Sequence, residues 1–326
     1  MGPPAVKSPR VKNRPIQHRV EYGLYRTLKG FLRAMPHTAT RSVGRAVGSL
    51  AHTLDRRHRE VALRNMALAL PEVPEAERQR LVRECFRHFG AALCDAVSST
   101  RFDAREMCRR FTLEGWEHVE EAESLGRGVF MLTAHLGLWE LVPPIVGLYR
   151  GPIDIVVRPA DNPWLDRELC DLRERFGNGV VPKRGAARRM LETIRAGGRV
   201  GLLIDQRVQE REGITVPFFG RPALTSSILA RVSLRTGAPV IPMTAYPEPK
   251  GRYRVVVRPA ILPPEAKDDD TAVASLTRRY LEVAEEDIRA HPEMWLWMHR
   301  RWDARKKKED SPAEPDGQEA VSDVGG

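Results

Sequence analysis

After Arg110 the chain changes texture: short runs rich in β-branched and aromatic residues alternate with helical stretches as far as Ala290. No other feature constrains the fold as strongly. A strand followed by a helix and then by another strand most readily returns parallel to the first. Expected strands lie at 111–114, 128–133, 153–158, 179–181, 200–204, 215–218, 240–246 and 253–258. Expected helices lie at 138–148, 163–176, 186–196, 225–236 and 271–290. The pattern predicts an α/β fold with a mixed, largely parallel central sheet flanked by helices. In open sheets of this kind, sites gather at the carboxyl ends of strands, here the loops beginning at Thr133, Arg158 and Asp205.

The N-terminal third reads differently. Val20, Leu24, Leu28, Phe31 and Met35 recur at three- and four-residue steps, while Arg19, Arg26, Lys29 and Arg33 fall largely elsewhere on the wheel. That is an amphipathic helix over 19–35 with a cationic face, able to lie in a lipid interface or to pack on a core with its basic side solvated. A second helix is expected from Pro36 to about Arg59 and a third over Glu75–Ser98. Residues 1–110 carry 22 Lys/Arg against 10 Asp/Glu, and residues 111–326 carry 31 against 33, so the basicity belongs to this third. A basic region needs an anionic partner, either nucleic acid or an anionic membrane surface. No zinc-finger, RNP or helix-turn-helix signature supports nucleic acid.

Four segments follow: a disordered basic arm over 1–18, a helical region over 19–110, an α/β core over 111–302 and a disordered tail over 303–326. No run of 18 apolar residues exists to span a membrane, and Met1–Gln17 lacks the apolar stretch of a secretory signal, so the active part is expected in the cytoplasm. Cys85, Cys94, Cys108 and Cys170 form no CxxC pair and no Cys/His metal pattern, so neither a metal nor a bound cofactor is expected.

The chemistry points to His135, directly after the apolar run Gly128–Ala134, with Glu140 five positions on. On one continuous helix five steps would hold the two roughly 140° apart. They converge only if His135 sits in the strand-to-helix turn and Glu140 in the first turn of the helix. A carboxylate beside an imidazole fixes its tautomer and stabilises the imidazolium, leaving the other nitrogen as general base toward a hydroxyl. A His-x4-Glu pair is common by chance, so its context must carry the assignment. His52, His58 and His88 sit in charged helical stretches and lack that context.

The context comes from blocks elsewhere in the chain. They include Arg64-Asn65 through Leu70-Pro71-Glu72, Phe86-Arg87-His88-Phe89-Gly90 and Thr133-Ala134-His135-Leu136-Gly137-Leu138-Trp139-Glu140. Arg158-Pro159, Asn162-Pro163, Leu165-Asp166 and Asp205-Gln206 follow. Pro217-Phe218-Phe219-Gly220-Arg221-Pro222-Ala223 with Thr225, Thr236 through Pro242, and Trp295 through Trp302 complete the set. In order and spacing, from about Asn65 to Trp302, the sequence resembles the bacterial lipid A biosynthesis (lauroyl/myristoyl) acyltransferases, within the wider lysophospholipid acyltransferase superfamily.

The resemblance implies transfer of a fatty acyl chain from an acyl carrier protein or coenzyme A thioester to a hydroxyl of a membrane lipid, most directly a lipid A precursor. His135 would deprotonate the acceptor and Glu140 would orient His135, with no covalent acyl-enzyme; the absence of a G-x-S-x-G elbow agrees. Asp205 and Gln206, at a strand end, would face the site. Arg158 could hold a phosphate or form a surface ion pair. Of Arg173 and Arg175, Arg175 is the preferred match to a functional arginine. Phe219 and Thr225 would line the acceptor or acyl segment, or serve in core packing and as a helix N-cap. The location implied is the cytoplasmic face of the bacterial inner membrane. Relatives carry a more continuous apolar anchor; here Arg26, Lys29, Arg33 and Arg41 interrupt it, favouring a peripheral amphipathic helix. An acceptor such as a phosphatidylinositol mannoside or a lysophospholipid, a hydrolase, and a non-enzymatic basic peripheral protein are the alternatives.

Overall fold

The computed structural model describes residues 15–265 and 269–302. The basic arm and the tail fall outside the described residues, apart from Pro15–His18, which already belong to the first helix.

The chain begins with helices α1 (Pro15–Ala34), α2 (His37–Leu54), α3 (Arg56–Ala69), α4 (Glu75–Ser99) and α5 (Ala104–Arg110). It continues with β1 (Phe111–Glu114), α6 (Glu117–Ser124), β2 (Val129–Thr133), α7 (Val142–Arg150), β3 (Asp154–Val157) and α8 (Pro163–Arg173). Then come β4 (Gly179–Pro182), α9 (Ala186–Arg195), β5 (Arg199–Leu203), β6 (Gly213–Phe218), β7 (Arg221–Ser226) and α10 (Ile228–Thr236). Last are β8 (Val240–Glu248), β9 (Arg252–Val257) and α11 (Asp270–Ala290).

Seven strands form one sheet in the order β1-β9-β8-β2-β5-β3-β4, every neighbouring pair parallel except β8 with β9. This is the largely parallel sheet that the strand–helix alternation predicts. The central strands read as continuous apolar runs because helices cover both faces: Val129, Phe130 and Met131 of β2 are all buried. Two large clusters result. One gathers β2, β5 and β8 with α4, α9, α10 and α11, and the other lies under α5, α6 and α7.

Two expectations are corrected. The helix foreseen to about Arg59 breaks at Asp55, whose side chain accepts from the His58 backbone N–H and caps α3. The helix expected from Thr225 starts at Ile228, and the segment 221–226 forms a strand. It pairs antiparallel with β6 across the turn Phe219-Gly220, where both residues have positive φ (51° and 67°), as a two-residue hairpin turn of that hand requires.

Helix α1 is docked, not loose. Tyr22, Tyr25 and Lys29 all reach Glu168 of α8, Tyr22 stacks on Trp164, and Asn162 Nδ2 donates to the His18 carbonyl at 3.0 Å. Its other side leaves Ile16, Val20, Leu24 and Phe31 exposed. No helix among the described residues is long and apolar enough to cross a membrane.

Candidate active site

Strands β2 and β5 are neighbours, with Thr133 opposite Leu203. Two residues beyond each of these partners stand His135 and Asp205, so the parallel register itself brings them together at the carboxyl edge. His135 Nδ1 lies 2.8 Å from Asp205 Oδ1, and the His135 backbone N–H donates to Oδ2 at 2.9 Å. Trp295 Nε1–H donates to the same Oδ2 at 2.8 Å. A carboxylate only accepts, so Nδ1 carries the proton and the lone pair rests on Nε2, the arrangement a general base requires. Asp205 is fully buried. Burial alone would raise its pKa, but the His135 ring and the three donors outweigh that and hold it at about 2.

The expected pairing of His135 with Glu140 takes a different form. The 3-10 turn Trp139–Leu141 does place Glu140 just beyond the strand-to-helix turn. Its carboxylate, however, holds Arg173 in a two-point contact, Nε to Oε2 at 2.9 Å and Nη2 to Oε1 at 2.6 Å, and also accepts from Trp139 Nε1 at 3.2 Å. The acidic partner of the ring is Asp205; the partner of Glu140 is an arginine with a largely buried side chain.

The loop that carries His135 is braced from three sides. Leu296 N–H donates to the His135 carbonyl, Gly137 N–H to the Met294 carbonyl and Leu138 N–H to the Ala245 carbonyl. His88 Nε2 donates to the Gly137 carbonyl at 2.9 Å. Gly137 has φ +61°, and a Cβ there would stand 2.2 Å from the Ala245 oxygen, so only glycine lets the loop turn this close to β8. The Trp295–Trp302 segment is thus part of the site's frame. Asn65 ties it down by donating to the Trp297 and His299 carbonyls at 2.8 and 2.6 Å.

The remaining expected residues disperse. Arg158 is exposed, 3.8 Å from Asp161 in a surface ion pair. Arg175 lies past the end of α8 and donates to the carbonyls of Ser99 and Phe102, tying the sheet domain to the end of α4. Gln206 follows Asp205, half-buried. Phe219 packs among Phe218, Trp297 and Trp302, its N–H donating to Glu285 at 2.7 Å. Thr225 is buried in β7 and accepts from Arg301 Nη2 at 2.6 Å, so it is not a helix N-cap. Among the described residues no cluster of three or more His, Cys, Asp or Glu could hold a metal ion.

The profile of the bacterial lipid A biosynthesis acyltransferases matches residues 14–304. The chain belongs to this family. It is, with that family, an O-acyltransferase. Among its relatives is a lipid A biosynthesis lauroyltransferase of Escherichia coli, 27% identical over 276 residues, covering 83% of this chain and 87% of that one. A lipid A biosynthesis palmitoleoyltransferase of the same organism is 24% identical over 85% of this chain and 89% of its own length. A phosphatidylinositol mannoside acyltransferase of Mycobacterium tuberculosis is 25% identical over 73% of this chain and 75% of its own.

Within this acyltransferase, sequence reasoning passed over Arg173 as the contact of Glu140, Trp295 as a donor to Asp205, and His88. Each is joined to its partner across 33, 90 and 49 residues respectively, and no local periodicity signals such pairs.

Three histidines are held as neutral rings, His37 and His88 buried and His299 half-buried: desolvation foremost, with nearby arginines adding to it, lowers the pKa of each to about 4. An unfolded histidine titrates near 6.5, at about the point where the unfolded chain begins to take up protons that the folded one refuses. Stability is therefore expected to fall as pH drops from about 6.5 toward 4. Thermal melts across that window should show a steadily declining Tm; a Tm flat between those limits would contradict the assignment.

Proposed function

We propose that the chain transfers a fatty acyl group from a thioester donor, acyl carrier protein or coenzyme A, to a hydroxyl of a lipid A precursor at a membrane surface. The observation that carries the chemistry is His135: Nδ1 held by a buried carboxylate and Nε2 free to take a proton. His135 removes the proton from the acceptor hydroxyl, whose oxygen attacks the thioester carbonyl. Collapse of the tetrahedral intermediate expels the thiolate, to which the imidazolium returns the proton. Asp205 stabilises the imidazolium between those steps. Glu140 fixes Arg173 beside the loop, where a rigid guanidinium can meet a phosphate or a developing oxyanion. The N-terminus of α7 is a poor source of oxyanion donors, because Pro143 and Pro144 have no N–H.

The lipid A precursor is favoured by the family and by the lauroyl- and palmitoleoyltransferase relatives. The mannoside acyltransferase relative keeps a second glycolipid acceptor in view. The test is a transfer assay in which the purified chain is offered both donors against lipid A precursors, phosphatidylinositol mannosides and lysophospholipids. Transfer to a lipid A precursor at the highest kcat/KM is expected. Thioester hydrolysis with no transfer to any lipid would overturn the proposal.

The chain meets the membrane through α1, whose polar side is already taken by α8 and whose apolar stripe is left outward beside Arg19, Arg26 and Arg33. Val20→Asp, Leu24→Asp and Phe31→Asp together are expected to reduce pelleting with anionic vesicles by at least about tenfold, since each removes an apolar side chain worth roughly 1–2 kcal/mol at an interface. Retention equal to the parent protein would exclude this face.

A further inference from the structure

Helices α2 and α4 cross unusually closely. A Cβ on Gly44 would stand 2.4 Å from the Gly90 oxygen, and one on Gly48 would stand 2.1 Å from the Phe86 oxygen. At the mouth of this crossing the two helices present polar rows one turn apart. Arg41 and Arg45 come from α2; Arg80, Glu84 and His88 come from α4. With Glu293 and Met294 they line a cavity of about 420 Å³, in the size range of small-molecule sites.

Two of its lining residues touch the loop that carries His135. His88 donates to the Gly137 carbonyl and the Met294 carbonyl accepts from the Gly137 N–H, two residues from His135. The guanidinium groups are not locked away. Arg45 shares Glu84 with Arg87, at 2.8 and 2.7 Å, and Arg80 is held by Glu77 in an exposed pair, a type that contributes little. Arg41 pairs with the buried Asp95.

We propose that this cavity is a binding site for a phosphate monoester, its oxygens held by Arg45 and Arg80 with Arg41 behind them. Arginine forks match phosphate oxygens in two-point contacts, and a dianion can draw Arg80 from its surface partner. Two sources carry this chemistry: the headgroup of a phosphorylated lipid acceptor, and the phosphates at the nucleotide end of coenzyme A. That the phosphate is a substrate's rests on the acyl-transfer reading; the site itself does not. A phosphate seated here would press on the His88–Gly137 contact and so register the substrate against the loop that carries the base.

Calorimetric titration of the full chain with inorganic phosphate, glycerol 1-phosphate and adenosine 3′,5′-bisphosphate tests this without turnover. Saturable binding of phosphate is expected, weakened about tenfold or more in Arg45→Gln/Arg80→Gln, as loss of two charged hydrogen-bonding partners implies. Both side chains are substantially exposed, at 46% and 60%, so the variant should fold; its Tm checks this. Arg188→Gln/Arg278→Gln, an equally basic pair of exposed side chains outside the cavity's lining, should bind phosphate as the parent does. The organic phosphate that binds more tightly, and loses most in the double variant, identifies the source. No saturable binding by the parent chain, or an equal loss in both double variants, would overturn the site. Either result leaves the transfer assay to decide the acyltransferase reading on its own.

Discussion

His135→Ala is expected to abolish acyl transfer while leaving the fold in place. General-base catalysis contributes about 10²–10⁴-fold, so kcat/KM should fall by at least that much. The ring is one-fifth exposed and packs on Trp139 at 5.5 Å, so its loss leaves no deep cavity. Asp205 does lose one of its three donors, and a buried carboxylate so deprived is destabilising by about 1–3 kcal/mol. A modest fall in Tm is therefore part of the expected result, and it has to be separated from the catalytic loss by assaying well below that Tm. Near-normal transfer by the folded variant would remove His135 from the mechanism.

The sheet was legible because its central strands are buried on both faces and therefore apolar, while the intervening helices carry a different period. All eight foreseen strands occur within a few residues of their expected places. The ninth, β7, was hidden by Pro222 and by a threonine that resembled a helix cap. Position in the loop was legible too: His135 and Asp205 both follow apolar runs, and both lie at carboxyl ends. What the pattern withheld was strand order. Only when β5 lies beside β2, and not beside another strand, does Asp205 meet the imidazole, and nothing in local periodicity distinguishes those arrangements. Arg173 and Arg175 show the same limit on a helix. The expected helix to Phe176 would have carried both residues. The chain instead leaves the helix at Arg173 and turns at Phe176, with φ +60°, which sends Arg175 toward the carbonyls of Ser99 and Phe102.

Asp205→Asn and Glu140→Gln separate the two carboxylates by the kind of damage each does. At Asp205 an amide offers one acceptor oxygen where the carboxylate serves three N–H donors. If the oxygen keeps Trp295 and the backbone N–H, the amide NH₂ faces Nδ1. The ring must then turn to the tautomer protonated at Nε2, and the lone pair that should take the acceptor's proton is gone. An equivalent change in a serine-protease triad lowers kcat by about 10⁴-fold through the same tautomer error, and a loss of about 10³–10⁴-fold in kcat is expected here. Glu140→Gln acts elsewhere. It keeps a hydrogen bond to Arg173 but removes the charge from a pair with a largely buried guanidinium, so the arginine loosens while the imidazole stays as it was. Its effect should appear in KM and in kcat together. The reverse outcome, a kcat loss of about 10³–10⁴-fold for Glu140→Gln and little change for Asp205→Asn, would show that the ring is governed from within its own loop and not from across the sheet.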